Sequence, residues 1–102
     1  MKYIYLIKSL EDSCYKIGIS KHPNKRLSQL QTGNSAELKL VEVYSTELAN
    51  QIEGTLHRKY SHYHKNGEWF DASIEIETLF MMECKQIEET LTMLKREGNV
   101  FI

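Results

Sequence analysis

Two short stretches of alternating apolar residues, Lys2 to Lys8 and Cys14 to Ile19, are separated only by Ser9-Leu10-Glu11-Asp12-Ser13. Period-two alternation rich in Tyr and Ile reads as strand, and the turn-like spacer joins the two as an antiparallel hairpin. A chain that opens this way is committed to a sheet, and whatever follows must pack on it. Pro23 suits the first turn of a helix with Leu27 and Leu30 inward and Gly33 as its stop. Leu38 to Tyr44 alternates again as a third strand. A second helix is expected from about Thr46 to Tyr60, with Leu48, Ile52, Leu56 and Tyr60 at four-residue spacing. Asn66-Gly67 ends it, and Glu68-Trp69-Phe70 is a short extended piece with two large anchors. A last helix begins near Ser73 as N-cap and turns Ile76, Phe80, Cys84, Ile87, Leu91 and Leu94 inward, before an apolar tail, Val100-Phe101-Ile102.

The 102 residues allow one domain, spanning 1–102. No apolar run approaches the roughly 18 residues of a membrane span, and the alternating N-terminus does not resemble a secretory signal. Cys14 and Cys84 form neither a metal-finger spacing nor a disulfide framework, so a reduced cytoplasm is expected. His57, His62 and His64 lack the cysteine partners and regular spacing of a zinc site. The formal charge of −1 hides a gradient. Residues 1–30 hold six Lys and Arg against two Asp and Glu, while residues 67–102 hold three against eight. A basic first third suits a polyanion, and an acidic end suits a solvated helix. The chain as a whole is not basic enough to grip duplex DNA by charge alone, so nucleic-acid contact is expected to be local.

Strand alternation sorts the polar residues onto faces. With Ile4, Leu6 and Ile17 on the core side, Tyr5 and Lys16 share the other side of the hairpin, and Gly18 leaves room for close approach. Arg26, next to Leu27, lies at the border of the first helix's apolar stripe. On the second helix, at about 100° per residue, the stripe covers roughly 0–120°, with Glu53 near 140° and His57 near 180°. Tyr, Lys, Arg, Glu and His then converge. Such a set suits phosphodiester cleavage: a base for water, a carboxylate for a divalent metal, and cations for the pentavalent phosphate.

Tyr3-Ile4-Tyr5, ten intervening residues, then Lys16-Ile17-Gly18 resemble the paired triplets of the GIY-YIG endonucleases. Arg26, and Glu53 within Gln51-Ile52-Glu53-Gly54-Thr55-Leu56, fall where that family has its arginine and metal-binding glutamate. The Lys-Ile-Gly triplet, Glu53 and His57 four residues apart, and Gly67-Glu68-Trp69-Phe70 resemble its small stand-alone phage and bacterial branch. Residues 3 to 70 carry the likeness. Two triplet positions depart from it: Tyr3 stands for the first Gly and Lys16 for the Tyr of the second triplet, leaving Tyr5 as the tyrosine of the site.

The resemblance implies an α+β sandwich with a central three-stranded, mainly antiparallel sheet flanked by helices. It implies metal-dependent DNA cleavage with Tyr5 as general base, its phenol (ordinarily titrating near 10) held low by nearby cations. Lys16 supplies one such cation or holds the scissile phosphate, and Arg26 stabilises the pentavalent transition state. Glu53 binds Mg²⁺ or Mn²⁺, and His57 orients the water or protonates the leaving group. Gly18, Lys21 and Lys25 are the expected substrate contacts. Sequence choice is left to DNA shape, to a homodimer or to a targeting partner. Two other classes fit the same residues: an inactive nucleic-acid-binding module on this fold, and a protein-interaction domain using the acidic last helix and apolar tail. The structural alternatives are plain: strand tyrosines pack, and Glu53 pairs with Arg26 or His57.

Overall fold

The computed structural model describes residues 2–67, 69–71, 74–96 and 98. Hairpin strands β1 (Lys2–Ser9) and β2 (Cys14–Ser20) lead to helix α1 (Pro23–Thr32), strand β3 (Leu38–Thr46) and helix α2 (Ala49–Lys59). After one 3₁₀ turn come β4 (His64–Asn66), β5 (Trp69–Asp71) and the long helix α3 (Ile74–Arg96). The expected Ser73 cap, Glu68 and the Val100–Ile102 tail lie outside the described residues.

The architecture is the expected α+β sandwich, with α1 on one face of the sheet and α2 and α3 on the other. The sheet itself corrects the expectation: among the described residues it has five strands rather than three, in the order β3-β1-β2-β5-β4, each pairing antiparallel. Trp69-Phe70 pairs along β2, and β4 folds back on β5 through Gly67 in the left-handed region at φ +53°. Three-residue strands are too short to display the alternation by which strands are read.

Alternation places the hairpin's side chains as its sequence requires. Ile4, Leu6, Tyr15 and Ile17 face α2 and α3, joining Ile52, Leu56, Phe70, Ile76, Phe80 and Cys84 in the main core. Tyr5 and Ile7 face α1 in a smaller core with Leu38, backed by Leu27, Leu30, Leu40 and Trp69. The β1–β3 register slips at Leu6/Ile7, where Glu42 pairs with Leu6 but Leu40 pairs with Ile7. This bulge puts Leu40 and Val43, an odd number of residues apart, on the same α1-facing side.

Tyrosine–glutamate pairs bind the helical layer to the rest. The Tyr15 hydroxyl donates to Glu77 at 2.6 Å, with Lys8 at 3.3 Å from the same oxygen. The Tyr60 hydroxyl donates to Glu83 at 2.6 Å, and Lys59 lies 3.1 Å from that carboxylate's other oxygen. Tyr44 and Thr46 both donate to Glu88. The Tyr15 bond, seconded by Lys8, holds the Glu77 carboxyl below the usual range, while burial and then Glu88 raise the Tyr44 phenol. The acidic last helix is therefore a docking surface for tyrosines within this chain as well as a solvated face.

Candidate active site

The central strands, not the loops, position the site. Tyr5 pairs in register with Gly18, and Ile7 with Lys16, so Tyr5 and Lys16 are diagonal neighbours on the α1 side. Tyr5 is 1% exposed and Lys16 6%. A lysine buried to that degree needs a partner. Its strand neighbour Trp69 supplies one, with the Lys16 ammonium 5.6 Å from the indole centroid.

β5 pairs with β2 only as far as Lys16 and Trp69. From Ile17 onward no described strand pairs with β2 on that side, and α2 covers the stretch. His57 Nε2 lies 2.9 Å from the Ile17 carbonyl oxygen. A carbonyl only accepts, so Nε2 carries the proton and Nδ1 is the nitrogen left for other chemistry. The His57 ring also meets Phe70 edge-on at 4.9 Å between centroids.

The N-terminus of α2 lies at the far end of β2, where Ala49 and Asn50 line a shallow cleft with Lys21. Helix α2 thus runs antiparallel to β2, with Glu53 midway between Ala49 and His57. The residue is half-buried and its Oε2 atom is closed off from solvent. Tyr5 thus meets β2 at Gly18, the one position without a side chain among the described strands.

Arg26 belongs to the other layer, on α1. On α1 the Gln31 side chain bonds Ala36 O and Leu38 N, at 2.9 and 2.8 Å, which marks the flank facing β3. Asn24 lies on that same flank, lining a cleft with Leu40 and Val43. At about 100° per residue Arg26 sits some 140° around the helix from Gln31, on the flank away from β3. The structure thus brings Tyr5, Lys16 and Gly18 together on the hairpin, with His57 on the next carbonyl of β2, while Arg26 lies on α1 and Glu53 on α2, one turn before His57. Lys25 is not among them: it lines the β3-side cleft, and Lys21 lies between the two regions.

Among the described residues no group of three or more His, Cys, Asp and Glu is arranged to hold a metal. Glu53 is the carboxylate the geometry offers. A single hard oxygen donor fits Mg²⁺ or Mn²⁺, which commonly use one or two carboxylates and take their remaining ligands from water and substrate phosphate. Sequence reasoning missed the double service of Trp69-Phe70, which it reads only as core. Consecutive strand residues point to opposite faces, so Trp69 braces Lys16 on one side of the sheet and Phe70 braces His57 on the other. Two adjacent aromatics in an extended piece were the available signal.

Compared with protein-family models, residues 2–95 match the T5orf172 domain, from the start of β1 almost to the end of α3. The chain belongs to the T5orf172 domain family. The T5orf172 domain is nuclease-related, and the match spans every element that contributes to the β2 edge. No curated protein and no solved structure matched the chain. Among the described residues of this T5orf172 domain, no helix is long and apolar enough to cross a membrane.

Proposed function

We propose that this chain is a metal-dependent DNA endonuclease of the GIY-YIG type, cutting phosphodiesters at the open edge of β2. The observation that carries the reading is the pairing of Tyr5 with the side-chain-free Gly18, with Lys16 diagonal to it and His57 bonded to the adjoining Ile17 carbonyl. Membership of a nuclease-related family supports it.

In this reading Tyr5, ionised, takes a proton from water as the water oxygen attacks phosphorus. The P–O3′ bond breaks in line, and the leaving oxygen is protonated from solvent. The packed ring fixes the Tyr5 hydroxyl, with Lys16 as its diagonal strand neighbour. Arg26 presents its donor fork to the non-bridging oxygens, where charge builds up in the transition state. Glu53 would hold Mg²⁺ or Mn²⁺, which supplies Lewis-acid stabilisation of charge on the phosphate and leaving oxygens. His57 acts as a positioning residue: its bond to Ile17 O fixes the rotation of α2, and with it the direction of Glu53.

One observation favours a second reading, a nucleic-acid-binding module without turnover: the near-complete burial of Tyr5. Supercoiled plasmid incubated with Mg²⁺, with Mn²⁺ and with chelator separates the two. The nuclease reading expects metal-dependent nicked or linear DNA, reduced about 10²–10⁴-fold in Tyr5→Phe. Salt-sensitive binding with no metal-dependent cleavage of duplex, single-stranded or branched DNA would leave the binding module in its place.

A further inference from the structure

Across α1 from the Arg26 flank lies a second feature, an open cleft of about 610 Å³ between the start of β1, the first turn of α1 and the middle of β3. Its apolar lining includes Tyr3, Leu40 and Val43, and Lys21 and Lys25 stand at its rim. That volume is in the range of small-ligand sites. The pairing of an aromatic floor with a cationic rim matches the chemistry of a nucleotide: a flat base with an apolar face, tethered to a phosphate. Among the described residues neither Lys21 nor Lys25 is engaged in an ion pair, so both ammonium groups are available to an anion.

The cleft's position relates it to the β2 edge. Lys21 also lines the neighbouring cleft with Lys2, Glu47, Ala49 and Asn50, at the N-terminus of the helix that carries Glu53. Lys25, Lys21 and Lys2 therefore follow one another from the Tyr3 cleft toward the N-terminus of α2, with Glu47 as the one carboxylate lining these two clefts. Tyr3 stands two residues before Tyr5 on the same face of β1, so one strand carries both positions.

We infer that the Tyr3 cleft binds one unpaired nucleotide of the DNA substrate, its base against Tyr3 and its phosphate on Lys21 and Lys25, next to the cleavage centre. The inference rests on the nuclease reading for the identity of the substrate. It gives the protein a preference for DNA with a single-stranded, flapped or branched segment over continuous duplex, because a paired base cannot leave its stack to enter the cleft without cost.

The test reads binding in chelator, apart from any cleavage. An oligonucleotide carrying 2-aminopurine in an unpaired segment is titrated with the full chain and compared with the same sequence fully paired. The wild type is expected to bind the unpaired form more tightly and to change 2-aminopurine fluorescence on binding. Tyr3→Leu, which keeps apolar bulk, is expected to weaken binding about 5- to 100-fold and abolish the fluorescence change, and Tyr3→Phe to retain both. Lys25→Gln is expected to shallow the log–log salt slope by about 0.7. Unchanged affinity and fluorescence in Tyr3→Leu, or tighter binding of the paired form by wild type, would overturn the inference. Circular dichroism on each variant shows that it is folded, and Tyr3→Phe carries the test if Tyr3→Leu is not: its loss of the signal would also count against a stacked ring. Tyr3-dependent binding by a chain that cuts nothing with Mg²⁺ would overturn the nuclease reading and leave the cleft assignment standing.

Discussion

The two faces of the sheet are built to different standards. The α2/α3 face buries a continuous apolar core and fastens α3 by tyrosine–glutamate pairs that also reach α2. The α1 face is thin: α1 contributes no buried residue, and Leu27 and Leu30 are only half covered. Yet this thinner face holds Tyr5, Lys16 and Arg26. The comparison teaches a division of labour, in which one layer supplies most of the stability so that the other can carry polar groups beside a sheet edge. Glu53 and His57 belong to the stable layer, with His57 at its margin where β5 stops and α2 covers β2.

The largest expected effect is on the thick face. Phe80 is fully buried, and Phe80→Ala should cost about 3–5 kcal/mol, whereas Leu27→Ala on the thin face should cost about 1–2, because its side chain is only partly withdrawn from water. Urea unfolding of both variants measures the difference, and equal costs would break the comparison. Arg26→Ala comes next: a fall of about 10²–10³-fold in cleavage rate with little change in unfolding midpoint, since it removes charge stabilisation at the transition state rather than packing. Single-turnover cleavage beside the same urea curve checks both halves.

His57 sharpens the line between the faces. His57→Ala should lower stability by about 1–3 kcal/mol, by leaving the Ile17 carbonyl without its donor, and should lower cleavage through misdirected Glu53. His57→Gln, which keeps a donor, should recover part of both. The smallest effect is at Glu77. Its carboxyl is held below its usual value of 4.5, chiefly by the Tyr15 hydroxyl, so it contributes stability above that pH and loses it as pH falls through the depressed value. The group is more than a third exposed, which keeps the contribution small. Glu77→Gln should accordingly be slightly less stable than wild type at pH 7, with the difference shrinking as the pH falls below 4.5, as read from thermal midpoints.

Much of this division is legible in the sequence. Alternation in the hairpin assigns Ile4, Leu6 and Ile17 to one face and Tyr5 and Lys16 to the other, because the strand period is two and the turn is short. Helical spacing likewise brings Glu53 and His57 beside the α2 stripe. Three features are not legible. The pairing of β4 and β5 depends on three-residue segments with no periodic signal. The bulge opposite Leu6/Ile7 moves Leu40 and Val43 to one face by a slip that only the partner strand reveals. The flank of α1 that faces β3 is set by Gln31 reaching Ala36 and Leu38, a tertiary contact no spacing encodes, and it separates Arg26 from Lys25 although the two are adjacent in sequence.

The central claim is that Glu53 works for chemistry at the β2 edge rather than for the core. Glu53→Gln keeps the shape and removes the charge, so its cleavage rate in Mg²⁺ measured against its urea midpoint tests that claim most directly. The account predicts a rate at least about 10²-fold lower at an unfolding midpoint equal to or above the wild-type value. Cleavage at the wild-type rate, or a loss of rate that only follows a loss of stability, would contradict it.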